Sequence, residues 1–504
     1  MVNPLYDTLF GRHAGKATPF LHLEDGQTIS HSDFLARTAR FANALAAMGL
    51  KPGDRLAAQI DKSADGLVLY AACVQSGVVF LPLNTAYTPD EVSYFIENSG
   101  AALFVCQPER RDTLTDLAKA TNTRLETLGT TGGGSLADLA KDQSDVFATV
   151  ERTADDLAAF LYTSGTTGRS KGAMLTQGNL LSNATTLVDI WAFTDQDVLL
   201  HALPIFHTHG LFVAVNVTLM AGGSMIFMSK FDLDFMITNM HRATTMMGVP
   251  TFYTRLLDDP RFTKEIAQHM RLFISGSAPL LAETHVAFEN RTGLRILERY
   301  GMTETNMNTS NPYDGDRRAG TVGFPLPGVE LKITDPATGK TLPTGEIGQI
   351  EVRGQNVFVG YWQMPEKTAE ELQADGFFIT GDLGMIDDDG YVTIVGRNKD
   401  LIISGGFNIY PKEIELILDE QPGVLESAVI GVPHPDFGET VIGLIVSKGG
   451  ETPNLDQISE TIGQSLARFK QPRKLVIIPE LPRNTMGKVQ KNVLRQSYDA
   501  AFET

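Results

Sequence analysis

Apolar residues along the first 160 positions alternate between a helical and an extended pattern. From Ser32 to Met48, the residues Phe34, Phe41 and Leu45 lie at helical spacing on one face, and Gly49 ends the pattern. Further helices are predicted at 63–74 and from Thr88, and strands at 54–60, 78–83 and 102–106. Such alternation is typical of parallel sheets covered by helices. The segment TTGGGS at 130–135 is predicted to be a surface loop.

The pattern changes near Gly345. Short alternating segments separated by Gly and Asp turns predict a small β subdomain, with Asp387–Gly390 as a hairpin turn. Beyond Arg397 the pattern is mixed, with strands at 401–404, 427–432, 441–446 and 474–479 and helices at 411–418 and 455–467. The predicted fold class is therefore α/β followed by α+β, and the last 105 or so residues form a plausible separate domain.

Composition and charge exclude several classes of function. The 504 residues are 42% hydrophobic and 20% charged, as expected for a folded chain, and the net charge is −18. This charge argues against binding to nucleic acid or to an anionic membrane. Two cysteines indicate a reducing compartment, and the longest apolar run, 211–221, is too short to span a bilayer. With no recognisable secretory signal at the N-terminus, we expect a cytoplasmic protein.

The densest candidate for chemistry is the segment YTSGTTGRSKG at 162–172, which follows an apolar run and is predicted to leave a strand. Backbone amides and hydroxyl groups of such a loop can surround an anion, and Lys171 adds a positive charge. The spacing does not match a Walker A loop. A solvated turn is the alternative that the segment alone leaves open. The predicted phosphate-binding residues are Thr163, Ser164, Gly165, Thr166, Thr167, Gly168 and Lys171.

This segment resembles the signature loop of the adenylate-forming superfamily, which includes acyl-CoA synthetases, adenylation domains and firefly-type luciferases. The resemblance continues, in the family's order, through LPIFHTHG at 203–210, GSAPL at 276–280, YGMTET at 300–305, TGDL at 380–383, GRNKDLIISGGFNIYP at 396–411 and PRNTMGK at 482–488. It implies an N-terminal domain, 1–398, of two sheet-based α/β subdomains and a small β-barrel at about 320–398. A mobile C-terminal α+β domain, 399–504, is expected to carry the catalytic lysine.

The resemblance also implies the reaction and its residues. ATP and a carboxylic acid would form an acyl-adenylate, and coenzyme A would then accept the acyl group. Catalytic roles fall on Thr303, Glu304, His207 and Lys488, and Glu304 would be the Mg²⁺ ligand. Nucleotide contacts are expected from Tyr300, Gly276, Ser277, Ala278, Asp382 and Arg397.

The C-terminal motifs imply a change of domain orientation between the two half-reactions. Lys488 would serve adenylate formation, Lys399 would be the hinge, and Gly405 and Gly406 would line the tunnel for the thiol. Because acetylation would remove the charge of Lys488, a protein acetyltransferase and a deacetylase are possible partners.

The substrate is suggested by Arg299, which precedes the YGMTET segment where many synthetases have a small residue. A buried guanidinium needs an anionic partner, and its planar fork fits a carboxylate. With Arg255, Ser277 and His207 at the same expected pocket, this favours a small dicarboxylic acid, and the combination resembles malonyl-CoA synthetases. The alternative is that Arg299 pairs with an acidic residue of the protein itself. The HTH pair of His207 and His209 lacks further ligands at zinc-site spacing.

Other functions stay open at this stage. Methylmalonate is included with malonate in the predicted substrate class, and an acyl-CoA synthetase for another short carboxylic acid is the first alternative. A free-standing adenylation enzyme would load a carrier-protein thiol, although no carrier domain is evident after Lys488. A non-catalytic nucleotide sensor would be expected to lack Lys488 or Glu304, and both are present.

Overall fold

A computed structural model describes residues 2–163, 170–404, 407–434, 437–484 and 488–502. These residues pack into two units. The first comprises 1–331 and 352–378, and the second comprises 332–351 and 379–504. No helix in the described ranges is long and apolar enough to cross a bilayer.

The strands, in chain order, are β1 (Pro19–Leu23), β2 (Thr28–Ser30), β3 (Arg55–Gln59), β4 (Val79–Pro82), β5 (Leu103–Cys106), β6 (Arg124–Thr127), β7 (Leu157–Thr163), β8 (Lys171–Thr176), β9 (Val198–His201), β10 (Ser224–Phe227), β11 (Thr245–Gly248), β12 (Leu272–Ser275), β13 (Leu297–Met302), β14 (Asn306–Ser310), β15 (Phe324–Pro325), β16 (Val329–Thr334), β17 (Gly348–Gly354), β18 (Phe378–Ile386), β19 (Val392–Arg397), β20 (Ile402–Ser404), β21 (Phe407–Ile409), β22 (Val424–His434), β23 (Gly438–Ser447) and β24 (Lys474–Ile478).

The α-helices are α1 (Pro4–Leu9), α2 (His31–Ala47), α3 (Ala64–Ser76), α4 (Pro89–Ser99), α5 (Arg111–Ala120), α6 (Ser135–Lys141), α7 (Gln177–Ile190), α8 (Asn216–Ala221), α9 (Leu233–Asn239), α10 (Pro250–Asp258), α11 (Lys264–Ala267), α12 (Ala282–Thr292), α13 (Pro365–Glu371), α14 (Pro411–Asp419), α15 (Leu455–Ser465) and α16 (Lys491–Ser497). A wider π-type helix, His209–Val215, precedes α8, and single 3-10 turns lie at Gly11–His13, Pro108–Arg110, Met240–Arg242, Asn398–Asp400 and Arg468–Lys470.

The first unit contains two large, mostly parallel sheets. One has the order β6–β5–β3–β4–β7–β8, in which only β7 and β8 pair antiparallel. The other has nine strands, β15–β14–β13–β12–β11–β9–β10–β1–β2, parallel from β1 to β13 through the centre. Phe104, Phe160 and Leu81 anchor the apolar core on one face of the six-stranded sheet. The order β3, α3, β4, α4, β5, α5, β6 confirms the predicted alternation of strands and helices, and the central strands β4 and β5 are buried along their whole length.

The second unit is built around two smaller sheets. The strands predicted for the β subdomain, β17, β18 and β19, form a four-stranded sheet together with β16, which the sequence pattern did not predict. Four further strands have the order β21–β20–β23–β22, and β24 pairs with β23 in parallel. Ile414, Leu418, Ile458 and Ile462 of α14 and α15 pack against this sheet. The mixed fold class is confirmed, while the domain boundary at 398/399 stays a prediction.

Local sequence signals explain most element ends. The helix predicted from Thr88 begins with a capping box in which Thr88 and Glu91 bond each other's backbone amides. One prediction was wrong at its edge, because Ser135 begins α6 instead of ending a loop. Leu136 and Ala140 are buried there, so packing extends the helix further toward Gly134 than the Gly/Thr-rich sequence indicates.

Candidate active site

The hairpin of β13 and β14 holds the central predicted residues of the first unit. Arg299 pairs with Ser310 and Tyr300 with Thr309 across the two strands, and Thr303 and Glu304 lie in the turn between them. Arg299 and Glu304 are buried. A single hairpin therefore carries the residues predicted to contact the acid, adenine and magnesium, which are adjacent in the sequence.

Arg299 is a buried cation with no ion pair among the residues that the structure describes. Within the described part of the chain, neither its Nε nor its Nη2 has a hydrogen-bond partner, and no carboxylate forms an ion pair with it. Burial lowers the pKa of Arg299 to about 9, although Tyr253 and Glu298 act to raise it. The hypothesis that Arg299 pairs with an acid of the protein is therefore wrong for these residues, and two of its donors are buried without an acceptor among them.

The guanidinium of Arg299 lies directly against Gly276. A Cβ at this position would come within 2.4 Å of the Arg299 Cζ, so only glycine leaves the space that the guanidinium occupies. The next residue, Ser277, has a φ of 71°, and its Oγ lies 3.1 Å from Nδ1 of His209. The absence of a side chain at Gly276 thus makes room for the Arg299 guanidinium. The close approach of the 276–278 segment to the nucleotide stays a separate prediction.

His209 adds a second buried polar group beside Arg299. Its ring is buried, and burial followed by the charge of Arg299 holds the pKa of His209 well below its usual range. Its Nε2 has no hydrogen-bond partner among the residues that the structure describes. The backbone N–H of His209 lies 3.4 Å from Nδ1 of His207, so the two histidines of the HTH motif are held together. His209 is a residue that the sequence analysis left without a role.

Arg255 is placed apart from this cluster. It is exposed on α10, and its guanidinium lies 5.4 Å from the centre of the Phe231 ring. From the same helix, Tyr253 is buried and lies close enough to Arg299 to affect its pKa. The predicted substrate role of Arg255 stays a prediction, and Tyr253 is the neighbour that the sequence did not single out.

Lys171 anchors a second charged cluster at the start of β8, where it pairs with Thr163 of β7. Its Nζ lies 3.1 and 3.0 Å from the two carboxylate oxygens of Glu371 and 4.1 Å from the centre of the Tyr361 ring. Tyr361 is brought there by residues 359–362, which bond the backbone of β8 at Gly172 and Met174. The predicted phosphate lysine is thus held by residues about 200 positions further along the chain.

The Tyr361 hydroxyl joins this cluster to Glu304. It lies 2.6 Å from Oε2 of Glu371 and 3.1 Å from Oε1 of Glu304. Burial, followed by the charge of Glu304, raises the pKa of Tyr361, so the phenol stays protonated and can donate. Burial alone would raise the pKa of Glu371, but hydrogen bonds from Tyr361 and Lys171 outweigh it and lower that pKa.

The second unit holds the remaining predicted residues. Asp382 on β18 and Arg397 on β19 are register neighbours, and Nε of Arg397 lies 2.7 Å from Oδ1 of Asp382. Lys399 lies in the single turn Asn398–Asp400, where burial lowers its pKa. Asp400 forms an ion pair with Arg495 at 2.6 Å.

Lys488 lies at the surface of the second unit, next to Asn484. Lys488 is exposed, and its backbone exchanges hydrogen bonds with Asn484, whose side chain accepts at 3.0 Å. The predicted residues that lie outside the described ranges are Ser164, Gly165, Thr166, Thr167, Gly168, Gly405 and Gly406.

Comparison with known proteins gives two family matches. The sequence profile of the family described as AMP-binding enzyme matches residues 11–362. The profile described as AMP-binding enzyme C-terminal domain matches residues 413–488. The motifs at 162–172, 203–210, 276–280 and 300–305 lie within the first match and the motif at 482–488 lies within the second, whereas those at 380–383 and 396–411 lie between the two matches.

Individual relatives agree with these matches. A feruloyl-CoA synthase from Amycolatopsis sp is 35% identical over 94% of this chain and 94% of its own length. A malonate–CoA ligase from Arabidopsis thaliana is 35% identical over 84% of this chain and 74% of its own length. The crystal structure of ATP-bound MatB from Rhodopseudomonas palustris is 59% identical, covers 100% of both chains and superimposes with a TM-score of 0.98.

Proposed function

The chain belongs to the family of AMP-binding enzymes, and we propose that it activates malonate and transfers it to coenzyme A. The coarser statement, that it is an ATP-dependent, AMP-forming acyl-CoA synthetase, rests on the family and the similar enzymes. Overall similarity does not identify the acid, because relatives of equal identity are named for ferulate and for malonate. The acid must be argued from the site.

The observation that carries the proposal is the buried guanidinium of Arg299 with its two unpartnered donors. An uncompensated buried charge is unfavourable, and a carboxylate that accepts from both donors would remove this penalty. Malonate supplies a second carboxylate only one carbon away from the group to be activated. The nearby polar groups of His209 and Ser277 favour the same charged end over a hydrocarbon tail.

The reaction has two steps. A carboxylate oxygen of malonate attacks the α-phosphorus of ATP, the bond to pyrophosphate breaks, and malonyl-adenylate forms. The thiol sulfur of coenzyme A then attacks the acyl carbon, AMP leaves, and the thiol proton passes to solvent. Lys171 and Lys488 would offset phosphate charge, and Asp382 would accept hydrogen bonds from the ribose.

Glu304 fits the role of Mg²⁺ ligand. Mg²⁺ uses one or two carboxylates together with phosphate oxygens and water, and Glu304 offers a buried carboxylate beside the Lys171 cluster. When bound, the ion would neutralise charge on the phosphates of ATP. Tyr361 holds the Glu304 carboxylate in place through its hydroxyl.

The test is an acid panel of malonate, methylmalonate, acetate, butyrate and ferulate. Pyrophosphate release without coenzyme A and thioester formation with it are measured for the wild-type protein, Arg299→Leu and Arg299→Lys. Losing the partner of a buried charge costs about 3–5 kcal/mol, so Arg299→Leu should lower kcat/KM for malonate by roughly 10²- to 10⁴-fold. Arg299→Lys should not restore it, because an ammonium lacks the planar fork.

The same panel separates the alternatives. The kcat/KM for butyrate should fall little or rise in Arg299→Leu, because an uncompensated charge no longer faces the methyl end of butyrate. Arg242→Leu, a change at an exposed arginine, is the matched control and should leave the panel unchanged. Equal losses with malonate and butyrate would make Arg299 structural. Adenylate formation without thioester formation would favour a carrier-protein thiol as acceptor.

A further inference from the structure

Glu371 has no place in the reaction derived above, yet it makes the shortest contacts of the phosphate-binding lysine. Both of its oxygens bond Nζ of Lys171, which is largely buried, with 16% of its side chain exposed. The ammonium also rests on the Tyr361 ring. A phosphate that binds Lys171 meets a cation whose charge is already offset.

The geometry points to Glu371 as a resident counter-ion that ATP must displace: we propose that its carboxylate occupies the phosphate-binding head of Lys171 until the nucleotide arrives. A phosphate can bind the Lys171 ammonium only by displacing the Glu371 carboxylate. The ion pair therefore lowers the affinity of the enzyme for ATP. This inference concerns the ATP side of the site and stands whichever acid the enzyme uses.

The neighbours of Glu371 lower the free-energy cost of replacing Glu371 by phosphate at Lys171. Lys367, one turn earlier on α13, lies 3.1 Å from Oε1 of Glu371, so the carboxylate keeps a cation when Lys171 turns to phosphate. The Tyr361 hydroxyl also stays bonded to Oε2, at 2.6 Å. Tyr361 thus supports Lys171 through its ring and Glu371 through its hydroxyl, and each partner keeps one contact after the exchange.

Glu371 acts through Lys171, so replacing Glu371 should change the affinity only for ligands that carry a phosphate. Binding is measured by calorimetry with MgATP, in the absence of any carboxylic acid so that no turnover occurs, and with adenosine. Glu371→Gln removes the competing charge and keeps the shape, and it should tighten MgATP binding by about 5- to 10-fold. Adenosine has no phosphate, and its affinity should stay unchanged.

The neighbouring residue provides the matched control. Glu370 is exposed on the same helix turn and pairs with Lys367 at 2.7 Å, so Glu370→Gln makes the same charge change without touching Lys171. It should leave both affinities unchanged. Glu371→Asp, with a carboxylate one methylene shorter, should tighten MgATP binding by less than Glu371→Gln does, and it provides a second reading if the glutamine variant fails to fold.

Unchanged or weaker MgATP binding in a folded Glu371→Gln variant would overturn the proposal. An equal gain in adenosine affinity in this variant, or an equal gain in MgATP affinity in Glu370→Gln, would also overturn it. Failure of malonate in the acid panel would overturn the proposed substrate and leave this inference standing. A Lys171→Met variant should bind MgATP weakly and should no longer respond to Glu371→Gln, because the two changes act on one contact.

Discussion

The two units hold a predicted functional arginine in opposite ways. In the first, Arg299 is buried against Gly276 with two donors unpartnered among the described residues. In the second, Arg397 is already paired with Asp382, and Lys488 is exposed to solvent. Arg299 is thus a packed cation with no ion pair among the described residues, whereas Arg397, like Lys171 of the first unit, already has a carboxylate partner.

The difference follows from what each cation has to do. A guanidinium fixed by packing can select one shape of anion, because it cannot move to meet another. Lys488 carries its charge on a long side chain at the surface, which suits a group that is expected to act in only one step. Specificity should therefore depend on the first unit and the progress of the reaction on the second.

The largest effect that would sharpen this contrast is expected from Lys488→Ala. Loss of one charge contact at the reacting phosphate should lower adenylate formation by about 10²- to 10³-fold, while thioester formation from supplied malonyl-adenylate is spared. Acetylation of Lys488 should act likewise. The two half-reactions are measured separately, with Lys448→Ala as an exposed control in the same unit. Equal losses in both would contradict the assignment of Lys488 to one step.

Gly276→Ala tests whether Arg299 is truly fixed. The added methyl group would collide with the guanidinium, and overpacking of this kind costs about 1–3 kcal/mol. We expect kcat/KM for malonate to fall by roughly 10- to 100-fold, with a smaller loss for butyrate. An equal fall in kcat/KM for malonate and for butyrate would show that Gly276 contributes to the binding of ATP and not of the acid.

Lys399→Pro tests the hinge predicted in the second unit. Proline fixes φ near −65°, so a residue that must change its backbone angles cannot do so. Pyrophosphate exchange into ATP should continue, while thioester output should fall about tenfold. Full thioester output from preformed adenylate, in a folded variant, would remove Lys399 from the hinge.

The smallest effect concerns the stability of the first unit in acid. Burial, opposed by the hydrogen bond to the Leu219 carbonyl and assisted by the charges of His31, Lys16 and Arg12, lowers the pKa of His13 from the usual 6.5 to about 4. The unfolded chain therefore binds the extra proton first as pH falls below 6.5. The stabilisation by neutral His13 is present above that pH and is lost progressively towards pH 4.

Between pH 7 and pH 5 the free energy of unfolding should fall by about 2 kcal/mol through this group. Both tryptophans, Trp191 and Trp362, lie in the first unit, so denaturant unfolding followed by tryptophan fluorescence reports on it. His13→Gln should flatten the pH dependence, and the exposed His269→Gln should not. A pH slope that is unchanged in His13→Gln would assign the acid sensitivity to other groups.

Most helices and strands were predictable because their signals are local. The capping box at Thr88, the period of α2 and the alternation of buried strands each depend on neighbours within a few residues. The fold class followed from their order. Ser135 shows the limit of this reasoning, since the helix that begins there is stabilised by burial that the local sequence does not encode.

The sequence by itself determined the kinds of residue at the site and the order of the motifs, because these are contiguous along the chain. Only the tertiary structure decided which charges meet. Glu371 reaches Lys171 across 200 positions, and Arg299 lies against Gly276 with no carboxylate paired to it in the described part of the chain. Pairing depends on how strands and loops far apart in sequence pack together, and no spacing along the chain records whether a buried charge has found its partner.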